Sequence, residues 1–286
     1  MKIVIGLLST LLVGSAYAQV KMDKAIYGTD DRIDVIDAQL KQRILARSVA
    51  VRINNERLKD YSYSLQNYIL PYIPLKELFN LCPTERFIRQ SAIADCTGFL
   101  IAPDLLATAG HCIADDKDCA NNSWVFDYQI ESKGQSYIQN MDHKNVYSCK
   151  EVVAFANNAP KDWAIVRLDR KVENRKPLKL SNKKLTNGTS LFVIGSPSGL
   201  PLKLATGKVR SWQKDYFVTT LDSFAGNSGS PVFNEATEEV FGILVRGDAD
   251  YFVTPQGCLK PSRNTEFTGR GEDASTLTEL MQALKR

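Results

Sequence analysis

Phe224-Ala-Gly-Asn-Ser-Gly-Ser-Pro-Val-Phe233 is the stretch on which the reading of this 286-residue chain turns. Small residues flank Ser228, and a β-rich run begins at Pro231, so a tight turn delivers this serine into a strand. In such a turn the backbone N–H groups of Gly226 and Ser228 converge on one point. Two donors aimed together form an oxyanion hole, where losing a single donor typically costs about 3 kcal/mol of barrier. The same letters also suit a plain Gly/Ser hairpin turn, so the stretch needs partners elsewhere. The Gly-x-Ser-x-Gly elbow of α/β-hydrolases is not met, because Ser230 stands where its last glycine belongs.

Two partners are present upstream. Thr108-Ala-Gly-His-Cys112 places one of only two histidines directly after a strand-like run. Cys96 lies one strand and one return earlier, positioned to pair with Cys112 and fix the loop of His111. The other histidine, His143, sits in a polar turn. Lys161-Asp-Trp-Ala-Ile-Val-Arg-Leu168 opens a very apolar strand with Asp162. An unpaired carboxylate buried there would be costly. A histidine N–H is its natural partner, and the carboxylate then fixes the imidazole tautomer and stabilises the imidazolium.

With TAGHC, DWAIVRL and GNSGSPVF in the order His, Asp, Ser, the chain resembles the chymotrypsin/trypsin-like serine proteases. GNSGSPVF, FLIAPDLLATAGHC and the leader IYGTDDR are similar to the bacterial V8-like, glutamyl endopeptidase-like branch. The resemblance spans roughly residues 26–272. It implies two six-stranded antiparallel β-barrels with the site in the crevice between them. It also implies Ser228 as nucleophile, His111 as general base and then acid, Asp162 as orienting carboxylate, and Gly226 and Ser228 as oxyanion donors. Peptide hydrolysis through an acyl-enzyme follows, with no metal or organic cofactor.

Departures from the family bear on control and specificity. Asn227 stands where trypsin has the Asp that pairs with its new N-terminus, so zymogen control is expected from the leader, with cleavage near Ala25 or Ile26. Asp222 lies six residues before Ser228, the spacing of trypsin's pocket-floor Asp, which would favour Arg or Lys before the cut. Equally, it reads as a structural acid held by backbone N–H groups. Leu244 falls where V8-like enzymes carry a pocket histidine, which weakens a Glu preference, although Arg246 is a substitute cation close in sequence. The P1 preference therefore stays between Arg or Lys and Glu. Substrate-binding positions are Asp222, Ser223 and Gly247. With Cys96–Cys112 paired, Cys119–Cys149 joins loop to strand in the first barrel, and Cys82–Cys258 follows by elimination.

Further out, Lys2 and the apolar residues 3–13 precede Ala16-Tyr17-Ala18, an A-x-A site before Gln19. Residues 1–18 thus read as a secretory signal peptide, too short to span a bilayer at about 20 residues. Six cysteines, all after this segment, suit disulfides in an oxidising compartment, periplasmic or extracellular. Neither C-x-x-C nor H-x-x-x-H spacing appears, which argues against a zinc site. With 36 Lys and Arg dispersed among 32 Asp and Glu, there is no nucleic-acid stripe or polybasic membrane patch. Residues 19–47 are polar and form a leader, a pro-segment or an N-terminal arm. Residues 48–170 form the first barrel. Residues 171–286 form the second, its strands ending near 270, followed by a helix over 273–285 with Leu277, Leu280, Met281 and Leu284 on one face. A short helical patch is expected over 74–79. The partners are protein or peptide substrates, the protein is expected to be a monomer, and no membrane insertion follows signal cleavage. Rival functions are a catalytically weak protease-fold binding protein and an esterase using the same triad. A protease of the HtrA type would need a peptide-binding module, for which one terminal helix leaves no room.

Overall fold

The computed structural model describes residues 25–60, 66–113 and 115–285. The expected signal peptide lies outside the described residues. Twelve strands build two closed antiparallel barrels. The first contains β1 (Val49–Asn54), β2 (Cys96–Ala102), β3 (Leu105–Thr108), β4 (Asn122–Phe126), β5 (Val146–Asn158) and β6 (Lys161–Leu168). They close in the order β5-β6-β3-β2-β1-β4. The second contains β7 (Ser190–Gly195), β8 (Lys203–Trp212), β9 (Tyr216–Thr219), β10 (Pro231–Asn234), β11 (Val240–Arg246) and β12 (Glu272–Thr276). Their order is β7-β10-β11-β12-β9-β8, closed by pairing of β7 with β8. The expected two-barrel, all-β architecture is therefore what the chain adopts.

Burial on both faces marks the most central strands. In β6 the run Asp162–Val166 is buried throughout, because one face fills the barrel and the other meets its neighbours. Phe99, Trp124, Phe126, Phe192 and Phe233 are all within 1 % of complete burial. At about 25 cal/mol per Å² of apolar surface, such side chains dominate the gain on folding. Phe192 and Phe233 stack across the β7–β10 pair with centroids 4.6 Å apart.

Two boundaries differ from the sequence reading. Residues 273–276, expected to start the terminal helix, belong to β12, so the second barrel runs past residue 270. The terminal helix covers only Thr278–Ala283, burying Leu280 and, just before it, Leu277. It folds back onto β6, where Trp163 Nε1 donates to Glu279 Oε2 at 3.3 Å and Lys161 pairs with the same carboxylate. The short patch expected near 74–79 is a helix over Leu75–Phe79.

Residues 25–47 form an arm laid on the body. Ile26–Tyr27 pairs in parallel with Arg263–Asn264, and Ile33–Asp34 adds to β8 at Lys203 and Leu204. A 2.7 Å ion pair between Asp34 and the buried Lys203 fastens this second contact. Three disulfides, Cys96–Cys112, Cys119–Cys149 and Cys82–Cys258, use all six cysteines in the pairing argued from the sequence. Among the described residues no helix is long and apolar enough to cross a membrane.

Candidate active site

His111 lies in a short 3₁₀ turn, Gly110–Cys112, directly after β3. Gly110 is required there: a Cβ would sit 2.1 Å from the carbonyl oxygen of Ala156 on the neighbouring β5. The β5–β6 hairpin therefore presses against the histidine turn, and Asp162, at the start of β6, reaches it. Asp162 Oδ1 accepts the backbone N–H of His111 at 3.0 Å, and Oδ2 lies 2.8 Å from the ring Nδ1. A carboxylate can only accept, so Nδ1 carries the proton and Nε2 of the neutral ring is an acceptor. Burial alone would raise the pKa of Asp162. The ring hydrogen bond, the charge of the histidine and its backbone N–H outweigh burial and hold the carboxyl below its ordinary value.

Ser228 comes from the other barrel, in the turn before β10, and is 8 % exposed. This turn is seated on the histidine side of the first barrel. Thr97 N donates to Ser228 O at 2.8 Å, and Cys112 Sγ, on the residue after His111, is 3.6 Å from the same oxygen. Ser228 Oγ lies 3.5 Å from Val245 O on β11. The fold thus brings His111 against Asp162 and the main chain of Ser228 against Cys112. His143 is elsewhere, with its ring 4.4 Å from that of Tyr68. Cys96, His111 and Cys112 cluster within 4.8 Å, but the two sulfurs are bonded to each other and offer no thiolate to a metal.

The peptide expected to carry an oxyanion donor is oriented by groups the sequence did not reveal. Ala225 O accepts from Ser198 N at 2.5 Å, and because a trans peptide points its C=O and N–H in opposite directions, Gly226 N–H is aimed away from Ser198. Thr97 Oγ1 donates to Gly226 O at 2.7 Å, and Ala225 N donates to Asp250 Oδ2 at 2.9 Å. Thr97, Ser198 and Asp250 stand 131, 30 and 22 positions from Ser228, counting from their numbers in the sequence, and no local pattern marks them.

The expected specificity positions are also placed. Asp222 is buried, with Oδ1 accepting Tyr27 N at 2.7 Å and Oδ2 accepting Asp31 N at 3.1 Å, the arrangement of a structural acid. Ser223 and Gly247 border a carboxylate that the sequence reading overlooked, that of Glu272. Ser223 Oγ donates to its Oε2 at 2.6 Å, and a Cβ on Gly247 would lie 2.1 Å from that oxygen. Ala25 N and Asp248 N donate to Oε1 at 3.2 and 3.4 Å. Arg246 is engaged away from a role as pocket cation: Nη2 donates to Pro160 O at 3.0 Å, and Nε is 3.6 Å from Asp273 Oδ2.

Fold and site together define a two-barrel peptidase, and the chain belongs to the trypsin-like peptidase domain family, whose match covers residues 96–243. Among solved structures it is similar to a Glu endopeptidase determined in complex with MPD, with TM-score 0.52 and 15 % identity. That alignment covers 91 % of this chain and 97 % of the other. It is also similar to an inactive mutant form of Rv3671c from M. tuberculosis H37Rv, with TM-score 0.50 and 13 % identity over 91 % and 95 % of the two chains. At these identities the likeness is one of fold. A search of curated proteins returns no match.

Proposed function

We propose that this chain is a secreted serine endopeptidase in which Ser228 attacks the scissile carbonyl, His111 takes and returns the proton, and Asp162 orients the imidazole. The observation that carries the reading is the 2.8 Å contact of His111 Nδ1 with Asp162 Oδ2, in a turn whose next residue touches Ser228. With Nδ1 committed as donor, Nε2 has the lone pair a serine hydroxyl needs. The tetrahedral oxyanion is met by N–H of Gly226 and Ser228, and the acyl-enzyme is then hydrolysed by water. Residues 1–18 are the export signal, three disulfides suit the oxidising side of a membrane, and the arm of residues 25–47 stays with the mature monomer. The residue before the cut stays between Arg or Lys and Glu: Leu244 offers no cation, and Glu272, the acid beside Ser223 and Gly247, is buried with its oxygens held by Ser223, Ala25 and Asp248.

A fluorophosphonate probe combined with a P1-varied peptide library tests this reading. Ser228 is labelled, and Ser228→Ala lowers kcat by about 10⁶-fold on every cleaved peptide. Absence of labelling in the folded protein returns the chain to the class of protease-like binding proteins. The P1 residue of the cleaved peptides, Arg or Lys against Glu, sets the pocket specificity independently of the nucleophile.

A further inference from the structure

Residues 222–224, which lead into the oxyanion segment, each make a contact with the N-terminal arm. Asp222 receives the N–H groups of Tyr27 and Asp31, and Ser223 N donates to Ala25 O at 3.3 Å. Phe224, fully buried, lies under a guanidinium: Cζ of Arg32 is 4.2 Å from its ring centroid. The ring of Tyr251 packs 5.2 Å away on the same phenyl group, and Tyr251 OH is 2.6 Å from Ser198 Oγ. Ser198 is the residue whose N–H turns the Ala225 carbonyl, and with it Gly226 N–H.

Arg32 is itself immobilised. It is 4 % exposed, and Nε and Nη2 meet both oxygens of Asp30 at 2.8 and 2.7 Å. Arg86 donates to Arg32 O at 2.5 Å, and its guanidinium is 3.0 Å from Asp30 Oδ1. A buried ion pair is a poor device for stability alone, because desolvation offsets most of the attraction. Its geometric specificity is what a planar, forked cation contributes over an aromatic face.

We propose that Arg32 is a positioning residue for the oxyanion-hole peptide, acting through the ring of Phe224. The guanidinium fixes where the ring lies. The ring fixes the start of Ala225, and with the Ser198 contact this sets the direction of Gly226 N–H. Arg32 touches no substrate. Its effect falls on the tetrahedral state, in which the donor is used, and not on the ground-state complex. This inference rests on the peptidase reading above.

The test uses the full-length secreted enzyme. Arg32→Gln is expected to lower kcat by roughly 10- to 100-fold with KM unchanged, the scale on which a displaced catalytic group costs rate. Affinity for a peptide boronate, which forms a tetrahedral adduct in the same hole, falls by the same factor, and Arg32→Lys, which keeps the charge without the planar fork, recovers little of either. Phe224→Leu leaves the Arg32–Asp30 pair intact and gives the same split, so it decides the matter if Arg32→Gln does not fold. Unchanged kcat in either folded variant, or a change confined to KM, overturns the proposal. If the wild type is not labelled at Ser228, the peptidase reading falls and this one with it. Labelling with unchanged kcat in the variants sinks this one alone.

Discussion

Asp222 spends both oxygens on backbone donors of the arm, yet its pKa is pushed up to about 7. Burial is the main cause. The charges of Asp31 and Asp30 add to it, and the N–H groups of Tyr27 and Asp31 only partly counter it. An unfolded Asp titrates near 3.9, so between about pH 4 and pH 7 the folded state holds a proton that the unfolded state has lost. Stability from this group is therefore greatest at low pH, falls as pH rises through that window and is flat above it. Asp222→Asn should flatten the decline in melting temperature between pH 5 and pH 8. An unaltered slope would show that another group drives it. Asp162 has the opposite sign: its lowered pKa makes its contribution one that disappears on acidification. At this scale His111, Asp162 and Ser228 could be picked out because each carries distinctive local letters, and the structure sets His111 against Asp162. For Asp222 the structural-acid reading is one of two of equal weight, and the choice cannot be made locally, because its partners are backbone groups 195 and 191 positions away and a main-chain donor has no letter of its own.

Among the elements, the turn from Gly226 to Ser230 is the most constrained, being clasped between both barrels. Gly229 has φ +90°, and a Cβ there would lie 1.9 Å from Thr97 O and 2.3 Å from Thr108 Oγ1. Backbone strain and the clash with a main-chain carbonyl act together, so Gly229→Ala should cost about 3 kcal/mol or more in a denaturant titration and abolish labelling of Ser228. A fully active variant would mean that the turn is not held against β2. Most strands could be read from alternation and from their Gly, Pro and Asn punctuation. β12 could not. Glu272, Asp273 and Ser275 look like the polar start of a helix, but all are within about 5 % of complete burial. Their partners are Ser223 and Ala25 for Glu272, and Arg270 and Arg246 for Asp273. Tertiary context thus overrides a local helix signal that is genuine only from Thr278 onward.

For the whole molecule, Cys82–Cys258 is the bridge of longest reach. It ties the segment after the short helix Leu75–Phe79 to the excursion between β11 and β12, across 176 positions. In the chain-entropy picture a loop of that size restricts the unfolded state by about 5 kcal/mol. Replacing both cysteines with serine should lower stability by an amount of that order without displacing His111 from Asp162. A loss below about 1 kcal/mol would mean that the unfolded chain is already compact there.

The pairing of Ile26–Tyr27 with Arg263–Asn264 has a consequence in time as well as in space. The stretch of the described chain that is synthesised earliest finds its neighbours only after nearly everything else has been made. Until then the arm lacks the parallel pairing that anchors Tyr27, whose N–H holds Asp222. Under the function proposed above, the nascent chain lacks this clamp beside the segment before Ser228 until residues 263 and 264 have emerged.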